Sequence, residues 1–158
     1  MVQLLMVVAG LSLSSMVMLS LINYLPSGLE TQKDTEILIE KGFAVLEEGF
    51  DAYTSANADT PPAASAGWDS DLSPGYIFLP RPPTNLSWSY GSDGGTGYYF
   101  CLTGSFTQPQ FKGFKRAESM FSASAMFLRT ACDATRSNVT TPTTFPATQS
   151  ITYWVANP

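Results

Sequence analysis

Residues 4–25 read LLMVVAGLSLSSMVMLSLINYL, a run of 22 residues without one charged side chain. The first charged side chain is Glu30, so residues 1–29 carry only the α-amino group. As a helix rising about 1.5 Å per residue, such a run is about 30 Å long, the depth of a bilayer's hydrocarbon core. The other reading is the core of a secretory signal, which spans only ~7–15 residues after a basic start and before small residues. No Lys or Arg stands upstream here, and Asn23-Tyr24-Leu25-Pro26 makes a poor cleavage site. The stretch is therefore expected to be a membrane-spanning helix of a chain already trimmed of a basic leader.

Small residues interrupt this run: Ala9, Gly10, Ser12, Ser14, Ser15 and Ser20. Gly10 and Ser14 form a small-xxx-small step, which lets two apolar helices approach closely. Serines in such a helix also bond back to their own backbone, and that local role is the alternative. A lone lipid anchor has no need of them, so packing against other helices is the favoured expectation.

Downstream, Ile39, Phe43, Leu46, Phe50 and Tyr53 recur at steps of 4, 3, 4 and 3, the stripe of an amphipathic helix. Asp34, Glu36, Glu40, Lys41, Glu47, Glu48 and Asp51 occupy its other faces. The pattern predicts one long helix, broken near Pro26 and Gly28 and ended by Pro61-Pro62 in a small, polar loop. Strand-like runs follow at 76–79, 86–90 and 98–102. Ser92-Asp93-Gly94-Gly95 predicts a hairpin between the last two. Residues 115–131 return to helical spacing, with Met120, Phe121, Ser124 and Leu128 on one face. Residues 151–155 alternate as a final strand, and the Thr- and Pro-rich stretch 138–149 reads as an exposed loop. The expected fold class is α+β: a long N-terminal helix on an antiparallel β-sheet head. The division expected is 1–29, apolar helix, and 30–158, globular head.

Composition closes several function classes. With no histidine among 158 residues, Ser-His-Asp and Cys-His catalytic sets and His-based metal sites cannot be built. Asp69 and Asp71 are too isolated to serve as an acid/base pair, and no enzyme activity, cofactor or metal is expected. A net charge of −5 argues against nucleic acid as a partner.

Residues 1–22, MVQLLMVVAGLSLSSMVMLSLI, resemble the N-terminal helix of mature type IV pilins and type II secretion pseudopilins. The resemblance covers about residues 1–55 in pattern, with a weaker echo in the C-terminal half. It implies a basic leader removed by a prepilin peptidase and an N-methylated Met1. Leu4, Met6, Val7, Val8 and Leu11 match the apolar run. Pro26 and Gly28 fall where pilin helices hold a helix-breaking residue. Gln3, Leu5, Gly10 and Ser14 would pack in the filament core. At Leu5 the sequence departs from the family, whose members usually carry a glutamate there to neutralise the α-amino group of a neighbouring subunit. Such a departure is a habit of minor subunits that start or cap filaments, and Gln3 is a partial neutral substitute.

The fold implied is pilin-like, and the function implied is that of a structural subunit. It would be held in the inner membrane, then polymerised by the pilus assembly machinery into a homo-oligomeric helical filament at the cell surface. A secretion pseudopilin and a membrane-anchored extracellular adhesin are the alternatives.

Cys101 and Cys132, in an exported chain, read as one disulfide, which the pilin resemblance also implies around a surface-variable segment 102–131. Two free thiols are the alternative; zinc would lack at least two ligands. Residues 30–59 carry net charge −6 and residues 112–138 net +3, which suggests charge pairing between stacked copies or ordinary solvated surface. Asn85-Leu86-Ser87 and Asn138-Val139-Thr140 match the N-glycosylation pattern only as short motifs do by chance.

Overall fold

The computed structural model describes residues 28–64 and 67–156. Met1, Gln3, Leu5, Gly10, Ser14, Pro26 and the apolar run 4–25 lie outside them. Among the described residues, no helix is long and apolar enough to cross a membrane. The chain divides into two units, Met1–Glu30 and Thr31–Pro158.

Gly28 has φ of 101°, in the left-handed region that glycine adopts without strain, and helix α1 (Leu29–Ala56) starts immediately after it. The expected stripe is the buried face: Ile39, Phe43, Leu46 and Phe50 are buried and Tyr53 half-buried. The helix ends where Asn57 Nδ2 donates to Tyr53 O at 2.8 Å, and Ala58 and Asp59 turn the chain with positive φ. A short helix α2 (Trp68–Leu72) follows.

Four strands form one antiparallel sheet in the order β1-β2-β4-β3. β1 (Leu86–Ser92) and β2 (Tyr98–Phe106) make the hairpin that the Asp93-Gly94 turn signal implied. Gly95 N and Gly97 N both donate to Asp93 Oδ1, which closes the turn. β4 (Ala147–Ala156) contains the expected 151–155 run and pairs with both β2 and β3 (Met126–Arg129).

Strand alternation sends Leu86, Tyr90, Phe100, Leu102, Met126, Leu128 and Ile151 to the face shared with the α1 stripe. Phe43 sits at the centre of that layer. Its ring lies 5.0 Å from Trp88, 5.2 Å from Tyr153 and 6.3 Å from Phe121. Such clustered aromatic contacts add to the burial itself.

Two sequence-based elements are corrected. Residues 76–79 form no strand. Ile77 is buried and Phe78 exposed, so the alternation is real, but Pro74, Pro80, Pro82 and Pro83 deprive the segment of ladder donors. It lies instead against α1: a side chain added at Gly49 would meet Ile77 Cδ1 at 2.7 Å.

The second helix, expected over 115–131, is α3, Gln108–Glu118. Its start is fixed by Thr107, whose hydroxyl accepts from Gln110 N, while Gln110 Oε1 accepts from Thr107 N at 2.9 Å. The chain then turns through the serines at 119, 122 and 124, leaves Met120 exposed, and enters β3. Cys132 therefore follows a strand, not a helix. The expected loop at 138–149 holds only to 146, since β4 begins at Ala147, and Phe145 packs on Phe111 at 5.3 Å.

Candidate functional site

The second face of the sheet carries the residues the sequence marked as chemically special. β2 alternation that points Phe100 and Leu102 at α1 must point Tyr99 and Cys101 the other way. They join Phe127 and Trp154 in a small buried cluster, with Cys132 and Ala134 against it. Cys101 and Cys132 are bonded to each other, with Cα atoms 5.9 Å apart. The disulfide is thus present, and it closes a segment holding the rest of β2, all of α3, and β3.

Beyond Cys132 the chain is stapled by polar contacts. Arg129 forks onto Asp133, with Nε–Oδ1 and Nη2–Oδ2 both 3.2 Å, and Nη1 donates to Ser137 O at 2.9 Å. Donation from Arg129 holds the Asp133 carboxyl below the usual carboxylate range. Asn138 Oδ1 accepts from Leu128 N at 2.7 Å. The Arg136 guanidinium lies 3.8 Å from the Trp154 ring centroid and 3.8 Å from Asp93 Oδ2, joining this loop to the hairpin tip. A side chain at Gly97 would strike Asp93, Trp154 and Arg136 together, so glycine is what permits the clamp.

These roles also account for the glycosylation-like motifs. Asn138 caps β3, and Asn85 exchanges two hydrogen bonds with Gln110 while donating to Ser105 O at 2.7 Å. Both asparagines are fastened within the fold.

The basic segment is largely paired inside its own chain. Lys115 pairs with Glu118, Arg116 with Glu36 at 3.8 Å, Arg129 with Asp133 and Arg136 with Asp93. The Arg116–Glu36 pair links α3 to α1, where part of the charge matching expected between copies is met within one copy. The helices approach closely there: a Cβ at Gly113 would lie 2.3 Å from Gln32 O.

Two surface grooves flank the arm at 79–83, which the sequence offered as a site by no motif. One, of about 570 Å³, is lined by Trp68, Asp69, Phe78, Arg81 and Trp88 among others. The other, of about 610 Å³, lies between Thr31, Asp34, Ile37 and Leu38 on α1 and Pro82 and Pro83. Among the described residues, no group of three or more Cys, Asp or Glu is placed to hold a metal ion. What the described site offers chemically is a cross-linked surface and two grooves. In comparisons with protein-family models, curated proteins and solved structures, nothing matches this chain.

Proposed function

We propose that this chain is a structural subunit of a type IV pilus, polymerising through its apolar N-terminal helix into an extracellular filament. One observation carries the reading. A 22-residue uncharged run leads, past a glycine at positive φ, into an amphipathic helix seated on an antiparallel sheet. The Cys101–Cys132 bridge suits an exported head that must survive outside the cell.

The mechanism is assembly. The run at 4–25 waits in the inner membrane after the peptidase has exposed Met1. The assembly machinery then transfers it to the filament core, where sibling helices replace lipid. Lipid tails and leucines are equally apolar, so burial alone gives no direction to that transfer. Packing of small residues such as Gly10 and Ser14, electrostatics and the work of the assembly motor supply it. Leu5 offers no carboxylate to a neighbour's α-amino group, which leaves Gln3 and packing to fix the register.

The test is Gly10→Leu in cells carrying the complete assembly system. Filaments sheared from the surface should be lost, while the amount of chain in the membrane fraction stays the same. Mass spectrometry of the wild-type filament should give a chain beginning at N-methylated Met1. Normal filaments from the Gly10→Leu strain, or a wild-type chain that never enters a fibre, would overturn the reading.

A further inference from the structure

We propose that the groove between α2 and the 79–83 arm is a binding site for a neutral glycan. Phe78 is 84% exposed, far beyond the other large apolar residues on the described surface, and it forms one wall of the groove. Isolated exposed apolar residues need no explanation, but this ring shares its groove with two tryptophans. Both are fixed from behind. Trp68 packs 5.6 Å from Phe100 and 6.1 Å from Tyr90. Trp88 packs edge-on against Phe43 and donates Nε1–H to Pro80 O at 2.8 Å, which also fixes the arm. Gly42 gives Trp88 its seat, since a Cβ there would lie 3.0 Å from the indole. The two tryptophan walls are therefore preformed, and about 570 Å³ falls inside the usual range for small-molecule sites.

The polar groups select the ligand. Asp69 and Arg81 line the groove, and among the described residues neither side chain has a hydrogen-bond or ion-pair partner. A carboxylate only accepts hydrogen bonds and a guanidinium only donates them. The occupant must therefore both donate and accept while presenting an apolar face to aromatic rings. Sugar hydroxyls do both, and the C–H face of a pyranose supplies the apolar side. An aliphatic ligand would strip water from both charges and return nothing. A proline-rich peptide has carbonyls for Arg81 but few N–H groups for Asp69. A uronic acid or phosphate would gain Arg81 but set a second negative charge beside Asp69, in a stretch (60–111) whose net charge is −2, and so loses what it gains.

This inference goes beyond the filament reading and does not rest on it. Filaments that ignore sugars would remove only the groove proposal, and a glycan-binding chain that never polymerises would remove only the assembly proposal.

The test titrates the full chain, in a detergent without a sugar headgroup, with neutral hexasaccharides of glucose, galactose and N-acetylglucosamine. Hexagalacturonate and a proline decapeptide are run beside them, with tryptophan fluorescence and calorimetry as readouts. At least one neutral hexasaccharide should saturate the protein with Kd on the order of 0.1–1 mM. Phe78→Ala should weaken that binding about tenfold and Asp69→Asn about threefold, and Met120→Ser, on another exposed apolar residue, should leave it unchanged. Circular dichroism and an intact Cys101–Cys132 bridge in each variant confirm the fold. No neutral hexasaccharide binding by about 10 mM, equal affinity in Phe78→Ala, or binding of hexagalacturonate or the peptide alone would each overturn the proposal.

Discussion

On β2, Phe100 and Leu102 point into a layer of large apolar side chains drawn from α1, α3 and all four strands, whereas Cys101, between them, points into a cluster of a few residues. The first face is held by bulk: Ile39, Phe43, Leu46, Phe106 and Phe114 are wholly buried there. Among the described residues, the second face has no helix over it. It is closed by a covalent bridge, the Arg129–Asp133 fork and the Arg136–Trp154 contact. Each face leaves a buried polar atom without a partner among the described residues, Tyr90 Oη on the first and Trp154 Nε1 on the second. A small domain that cannot bury both faces of a sheet substitutes cross-links for apolar area on the second. The bulk face should therefore respond most to lost volume, and the stapled face most to lost bonds.

The largest effect should come from Phe43→Ala, which opens a void at the meeting point of α1, Trp88 and Tyr153. The expected loss is about 3–5 kcal/mol, read as a lower urea midpoint of the detergent-solubilised full chain. Joint replacement Cys101→Ser/Cys132→Ser should come next, at about 3–4 kcal/mol on the loop-entropy account. The comparison breaks if the cysteine variant loses more than Phe43→Ala, because the second face would then carry the fold.

A polar contact on the bulk face sharpens the contrast. Tyr153 donates from its hydroxyl to Glu47 Oε2 at 2.9 Å. Burial first, and then this bond to Glu47, push the phenol from 10.0 up to about 12. A raised pKa means the stabilisation is complete below the ordinary tyrosine value and is lost as pH rises through about 12. Tyr153→Phe should cost about 0.5–1.5 kcal/mol at neutral pH. It should also make the fall in stability between about pH 10 and 12 shallower, measured by urea unfolding at stepped pH. An unchanged alkaline limb would show that Tyr153 has no part in it.

The two faces were not equally legible in the sequence. The α1 stripe and the 151–155 half of β4 could be read because each has one uninterrupted period and bulky apolar residues in phase with it. The hairpin was marked by Asp93-Gly94, and the bridge by there being two cysteines and no third. The α3 helix was misplaced because its apolar residues, Phe111, Phe114 and Ala117, are diluted by Gln108, Lys112 and Gly113. The clue that could have placed it is the capping signature Thr107-x-x-Gln110 with Pro109 in the first turn. The segment 76–79 has strand alternation without strand pairing, since alternation reports burial on one side and cannot report the missing donors of its proline neighbours. The groove was illegible for another reason. Trp68, Phe78, Arg81 and Trp88 meet only because Gly42 and Gly49 let the arm lie close to α1, a tertiary fact with no local pattern.

The smallest effect concerns the stapled face. Asp133 is 41% exposed and Arg129 only 14%, so the fork is half in water and its net contribution to stability is heavily screened. It should nonetheless be visible in titration. Donation from Arg129 first, and from the Thr135 backbone and side chain after it, lowers the Asp133 pKa against the opposing pull of burial. A lowered pKa means the contribution is fully present above the ordinary Asp value and disappears as pH falls through the depressed one. Arg129→Met keeps an apolar stem and deletes the fork. Carboxyl chemical shifts should place Asp133 below the usual carboxylate range in the wild type and move it back toward that range in Arg129→Met. The urea midpoint at neutral pH should change by about 1 kcal/mol or less. A larger loss with the bridge intact would mean that the fork, and not the disulfide, is what closes the second face.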